Sequence, residues 1–227
     1  MTTRLRPFFS YYGSKWRLSS RYARPVYGKV IEPFAGSACY SLLYPEKEIE
    51  LVDVSEAVCL VWQYLIGVTE SEIRSLPLLE DKEKIPTSLP IEAQYLIGFW
   101  VSKGCSYPRK SMSGRPGCGY WGDMIRSRIA RQLKHIRHWS IRRSSYSDIE
   151  NTKATWFVDP PYQVGGKHYP HHEIDYTDLA TWCKTRNGQV IVCENDKASW
   201  LPFDLLHHTK GIRKNSVEVV WGNNALD

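Results

Sequence analysis

No stretch of the chain approaches the roughly 18 consecutive apolar residues that a membrane-spanning helix needs. Arg4 and Arg6 are not followed by the apolar run of an export signal. The two absences predict a soluble protein that stays in the cytoplasm. Six cysteines occur, at Cys39, Cys59, Cys105, Cys118, Cys183 and Cys193, but none is paired as Cys-x-x-Cys. Several sit in apolar runs and read as reduced core thiols, not as a zinc ribbon or a redox dithiol. The glycine fingerprint of a dinucleotide-binding fold is missing, which argues against a nicotinamide enzyme.

What is present bounds the architecture. At 227 residues and 42% hydrophobic content, the chain suffices for one α/β core plus an appendage and is too short for two full-sized domains. Its net charge of +6 is unevenly spread. Residues 103 to 143 hold eleven Lys or Arg against the single acid Asp123, while the rest of the chain holds 19 basic against 23 acidic. A concentrated positive segment on a faintly acidic body suits a polyanionic partner, since neutralised phosphates release counterions. A solvated basic face is the plainer alternative.

Strand and helix signals alternate. Lys29 to Phe34 reads as a buried strand ending in Ala35-Gly36-Ser37, and Ala38 to Tyr44 as the start of a helix. Glu48 to Val54 reads as a second strand stopping at Asp53, with Ser55 as N-cap of a helix through Leu65. Helical patterns follow at Glu70 to Leu76 and Ile91 to Val101. Lys103 to Gly122, with five glycines among Ser, Pro and basic residues, reads as a loop or hairpin. Asp123 then caps a helix with an apolar stripe of Ile125, Ile129, Leu133 and Ile136. Beyond it, Thr155 to Val158, Gln189 to Cys193 and Val217 to Trp221 read as strands and Tyr176 to Lys184 as a helix. The β-α-β-α order favours a parallel sheet with right-handed crossovers. We divide the chain into a core of residues 1–66 and 140–227 and a helical, basic insert of residues 67–139.

The most specific motif is Asp159-Pro160-Pro161-Tyr162, directly after the apolar strand. The exocyclic amine of a nucleobase is a poor nucleophile because its lone pair is delocalised into the ring. A carboxylate and a backbone carbonyl that accept its two hydrogens localise that pair. Asp159 and the Pro160 carbonyl supply such acceptors, the two prolines stiffen the turn, and Tyr162 offers a ring against which an extruded base can stack. A simple Pro-Pro turn after a strand is the plainer reading of the tetrapeptide alone.

With this motif the chain resembles the Dam-type, adenine-specific DNA methyltransferases over nearly its whole length. Tyr11-Tyr12-Gly13-Ser14-Lys15 resembles the family's first cofactor motif, which implies that Tyr11 and Lys15 contact the methionine part of S-adenosylmethionine, Lys15 at its carboxylate. Glu32-Pro33-Phe34-Ala35-Gly36-Ser37 resembles the family's glycine loop, implying cofactor contacts from Pro33, Phe34, Gly36 and Ser37. The family often has a further glycine where this chain has Ala38. Asp53 matches the acid that accepts the ribose hydroxyls, although by itself it reads equally well as an acid favoured by a helix dipole. Asp148 and Ile149 match positions that grip the cofactor's adenine, and Tyr169 an aromatic in the loop closing over the site.

The resemblance thus implies a Rossmann-like methyltransferase sheet, S-adenosylmethionine as methyl donor, duplex DNA with a flipped adenine as partner, and a monomer or weak dimer in the cytoplasm of a bacterium or a phage-infected host. It places target recognition in the basic insert, where Lys103, Arg109, Lys110, Arg115 and Arg126 are the candidate contacts to phosphates and guanine edges. His168, His171 and His172 lack the His-Glu-x-x-His spacing and any accompanying acidic or cysteine ligand, so we expect a polar loop and no metal. None of the thirteen prolines precedes a cysteine, which removes the Pro-Cys nucleophile of cytosine-ring methylation. Methylation of the cytosine amine, protein glutamine methylation and a nucleic-acid-binding module on an inactive scaffold are the other readings. The first more often begins its motif with Ser and the second with Asn, so Asp159 favours adenine.

Overall fold

The computed structural model describes residues 4–102, 104–113, 119–209 and 216–223. Its centre is a seven-stranded sheet of β1 (Lys29–Glu32), β2 (Glu48–Asp53), β3 (Ser140–Arg143), β4 (Ala154–Val158), β5 (Gly188–Asn195), β6 (Asp204–Thr209) and β7 (Ser216–Gly222). The spatial order is β3-β2-β1-β4-β5-β7-β6. Strands β1 to β5 pair in parallel, and β7 runs antiparallel to both β5 and β6. This is a mostly parallel, Rossmann-like α/β sheet, as expected from the sequence.

Among the described residues five helices accompany it: α1 (Glu56–Gly67), α2 (Glu70–Ser75), α3 (Ile91–Trp100), α4 (Asp123–Gln132) and α5 (Tyr176–Lys184). Every residue of β4 is buried, as a strand covered on both faces requires. Successive side chains alternate between two cores. Phe157, with Val30, Leu51 and Ile191, joins the larger core under α1, α3 and α4. Trp156 and Val158, with Ile31 and Val52, meet Leu179 and Cys183 of α5 on the other face. Helix α5 starts where the Asp175 carboxylate accepts the Thr177 and Asp178 amides, and α2 starts with a capping box between Thr69 and Glu72.

Between β1 and β2 the expected helix over Ala38 to Tyr44 is only a 3₁₀ turn, Ser41–Leu43. The cause is local. Gly36 and Ala38 both take left-handed backbone conformations, with φ of +43° and +49°, and no right-handed helix passes through such residues. Strands β3 and β6 were not anticipated from the sequence. Gly122, and not Asp123, is the N-cap residue of α4, and the Asp123 carboxylate instead pairs with Arg126.

Residues of the segment 67–139 pack into the same core as the N-terminal residues. The Trp100 indole donates to the Phe8 carbonyl, Gln132 exchanges two hydrogen bonds with the Arg6 backbone, and Ile125, Ile129, Leu133 and Ile136 are buried. The Arg137 guanidinium donates to the Ile66 and Val68 carbonyls, closing the C-terminal end of α1. Among the described residues no helix is long and apolar enough to cross a membrane, and no cluster of three His, Cys, Asp or Glu is arranged to hold a metal ion.

Candidate active site

In an open parallel sheet, the loops leaving two neighbouring strands in opposite directions leave a crevice at the strands' carboxyl ends. Here those strands are β1, which leads on to β2, and β4, whose other neighbour is β5. A cavity of about 510 Å³ lies there, a size typical of small-molecule sites. Its wall includes Phe34 to Cys39 from the turn after β1, Asp53 to Ser55 from the end of β2, and Asp159 and Pro161 from the turn after β4. Tyr11 to Lys15 and Tyr169 to Ile174 complete it.

The turn after β1 is pinned at Gly36 by Asp53 and Trp62. Asp53 accepts the Gly36 amide through Oδ2 and the Ser55 amide through Oδ1, at 3.0 and 2.8 Å, and the Trp62 indole donates to the Gly36 carbonyl at 2.9 Å. A Cβ on Gly36 would stand 3.1 Å from the Tyr11 ring, at a positive φ, so the position calls for glycine. Burial raises the Asp53 pKa, against the lowering effect of the two amide bonds. The rings of Phe34 and Tyr146, both on the cavity wall, lie 5.5 Å apart at an interplanar angle of 34°.

A buried charge cluster stands at the other end. The Lys15 ammonium lies 2.9 Å from Asp159 Oδ1 and 3.9 Å from Glu218 Oε1, donates to the Gly13 carbonyl, and sits 4.5 Å from the centre of the Tyr162 ring. Burial opposes its charge, but Asp159, Tyr162 and Glu218 outweigh that cost and hold its pKa well above the ordinary lysine range. For Asp159 burial dominates and Glu218 adds to it, while Lys15 works in the opposite direction. The net result is a carboxyl pushed up to about 6. Glu32, buried beneath the turn with Oε1 accepting the Ser41 amide, is pushed by burial to about 8.

The cavity is roofed by a loop. The Tyr169 hydroxyl donates to the Tyr12 carbonyl at 3.1 Å, the His168 and Tyr169 rings pack edge-on against Tyr12, and Ser106 donates to the His168 carbonyl. At its base the loop is fastened by buried Glu194, which accepts the Gln163 amide at 2.6 Å and the Trp200 indole at 3.2 Å.

No protein-family model matches the chain, and no curated protein sequence matches it. Among solved structures, one similar chain is described as a conserved hypothetical protein of Streptococcus pyogenes, at 12% identity and a TM-score of 0.38, with 86% of each chain covered. Another is a candidate methyltransferase, YhhF of Escherichia coli, at 10% identity and a TM-score of 0.35, covering 85% of this chain and 73% of that one. At these levels neither likeness carries an assignment.

Of the residues singled out in the sequence, Tyr11, Lys15, Phe34, Gly36, Ser37, Asp53, Asp159, Pro161 and Tyr169 share this one cavity. Pro33 and Pro160 are buried beside it and are not on its wall. Tyr162 does not line it either, since Lys15 covers its ring and its hydroxyl is bound to Glu218 at 2.6 Å. Asp148 and Ile149 also miss the cavity, and Ser145 and Tyr146 take their place. The 3₁₀ turn Tyr146–Asp148 rotates successive side chains by about 120°. That rotation leaves Asp148 exposed and bonded to Ser144 and sends Ile149 into the core.

In the insert, Lys103 and Arg115 lie outside the described residues. Arg109 and Lys110 expose their side chains while their backbones are tied, the Arg109 amide to Gly98 and the Lys110 carbonyl to Ile85. Arg126 differs. Its guanidinium bonds the Leu76 carbonyl at 2.5 Å and Asp123 at 2.9 Å, with only 18% of the side chain exposed.

Sequence reasoning missed Glu218, Tyr22, Tyr176 and Glu194. Two carried a signal, a charged residue embedded in an apolar strand, as in Val217-Glu218-Val219-Val220 and Val192-Cys193-Glu194.

Proposed function

We propose that this chain is an S-adenosylmethionine-dependent methyltransferase that modifies the exocyclic amine of adenine in DNA. The observation that carries the proposal is the position of Asp159. A carboxylate at the tip of a buried strand, next to two prolines, faces a cavity it shares with the glycine turn and with Asp53.

The residues present fit the methyl donor. Asp53 fixes the turn and offers carboxylate oxygens toward a cis-diol, the tilted rings of Phe34 and Tyr146 suit a flat heterocycle, and Lys15 brings a charged ammonium to the wall near Asp159. When bound, the donor supplies an electrophilic methyl on a sulfonium. Asp159 accepts one hydrogen of the target amine. In this proposal the second hydrogen goes to a backbone carbonyl of the Pro160-Pro161 turn, whose Pro161 carbonyl also accepts the Tyr176 hydroxyl at 2.6 Å. Together the two acceptors localise the lone pair along the line of attack. Tyr162, its ring covered by Lys15 and its hydroxyl bound to Glu218, stands behind Lys15 and outside the cavity wall. The loop at 104–106 meets the roof through Ser106, and the exposed Arg109 and Lys110 that follow it are the proposed contacts to phosphates.

The test is transfer of radiolabelled methyl from S-adenosylmethionine to unmethylated DNA, followed by nucleoside analysis. We expect label in N6-methyladenine, and Asp159→Asn to lower kcat by about a hundredfold or more with DNA binding retained. Label on cytosine would redirect the reading to the cytosine amine. Absence of label in any DNA, with binding intact, would leave the inactive-scaffold reading in its place.

A further inference from the structure

Glu218 is buried to 7% exposure in β7, between Val217 and Val219 and opposite Asn195 of β5. A carboxylate there is costly unless it is fully partnered. Its Oε1 accepts the hydroxyls of both Tyr22 and Tyr162, each at 2.6 Å, and lies 3.9 Å from the Lys15 ammonium. Bonds of this length to a carboxylate are of the strong, charge-assisted kind. Tyr22 is a buried residue of the main core, packed edge-on against Phe157, so its bond ties Glu218 to the core. The Tyr162 bond instead reaches from the far antiparallel strand into the turn after β4, 56 residues earlier in the chain. It fixes the ring that Lys15 covers, while Lys15 is bound in turn to Asp159.

We infer that Glu218 is a positioning residue of the methyl-transfer site, holding Tyr162 and Lys15 so that Asp159 meets the target amine in one fixed geometry. This rests on the methyltransferase reading above. Glu218 touches neither substrate in this account. Its effect passes through the Tyr162 hydroxyl, and loss of that bond slows the chemical step without weakening substrate binding.

The experiment is a double-mutant cycle on the full-length protein, with S-adenosylmethionine and unmethylated plasmid DNA as substrates. Glu218→Ala should lower kcat by about tenfold or more, with both KM values within about threefold. Tyr162→Phe should do the same. The double variant should be no slower than the worse single one, because the two changes remove one interaction. Glu218→Gln keeps an acceptor for the hydroxyl, should recover part of the rate, and substitutes for Glu218→Ala if that variant does not fold. Effects that multiply in the double variant, or a kcat within about twofold of wild type in both Glu218 variants, would overturn the inference while leaving the enzyme a methyltransferase. A wild-type protein that transfers no methyl group to DNA would overturn the underlying reading and this inference together.

Discussion

A Cβ placed on Gly13 would stand 2.0 Å from the hydroxyl oxygen of Tyr169. The N-terminal segment and the loop after β4 therefore close over the cavity with no space for a single methyl group. Gly13 also has φ of +70°, so any side chain there strains the backbone as well as the roof. Gly13→Ala should displace Tyr169 and weaken binding of S-adenosylhomocysteine by about tenfold or more, as measured by calorimetric titration. Tyr169→Phe, which loses only the bond to the Tyr12 carbonyl, should have a smaller effect. An unchanged affinity in Gly13→Ala would mean that the roof plays no part in binding.

Ala38 carries a Cβ at φ of +49° in a buried turn. An alanine-to-glycine change usually costs about 0.5–1 kcal/mol in ordered structure. Here relief of a left-handed strain of about 1 kcal/mol should cancel most of that cost. Denaturant titration should place Ala38→Gly within about 0.5 kcal/mol of wild type and Ala38→Val at least about 2 kcal/mol below it, since β-branching suits this conformation worst.

Glu32 and Asp159 have folded-state pKa values raised to about 8 and about 6. A raised carboxyl pKa means that the folded protein binds protons the unfolded chain has released. Their contribution to stability is complete below the unfolded values near 4 and is lost as pH climbs through 6 for Asp159 and 8 for Glu32. Melting temperature should therefore fall from about pH 5 to about pH 9. Glu32→Gln, which keeps an acceptor for the Ser41 amide, should flatten the upper part of that decline. A steeper decline in the variant would contradict burial as the cause.

Arg126 is committed to Leu76 and Asp123 within the fold, whereas Arg109 and Lys110 point into solvent. Arg109→Ala and Lys110→Ala should each weaken DNA binding and reduce the salt dependence of log Kd by about one ion per lost phosphate contact. Arg126→Ala should instead lower the melting temperature and leave the salt slope unchanged. Fluorescence anisotropy across a salt series, with a thermal melt of each variant, separates the two behaviours.

Strands buried on both faces, such as β4, and helices with a clear apolar stripe, such as α4 and α5, were legible from pattern alone. Strands β3 and β6 were not. They are the two edges of the sheet, and their sequences, Ser-Ile-Arg-Arg and Asp-Leu-Leu-His-His-Thr, carry the polar residues that edges tolerate. The missing helix after β1 has a different cause, because helix propensity does not register a turn that tertiary bonds from Asp53 and Trp62 hold in left-handed conformations. In the site, motif residues close together in sequence were found readily, and their supports were not. Glu218 and Tyr176 reach the Asp159 turn from other elements, Tyr22 holds Glu218 from behind, and only the fold reveals those pairings.

Two carboxylates, Asp159 and Glu218, share the single ammonium of Lys15 beside the cavity. With both carboxylates ionised, that cluster carries a formal surplus of one negative charge. On the proposed reading it favours a cationic sulfur and has no comparable attraction for the uncharged thioether that remains once the methyl has left. On that reading the spent donor should be held less tightly than the fresh one, so that the change in charge favours exchange of one for the other.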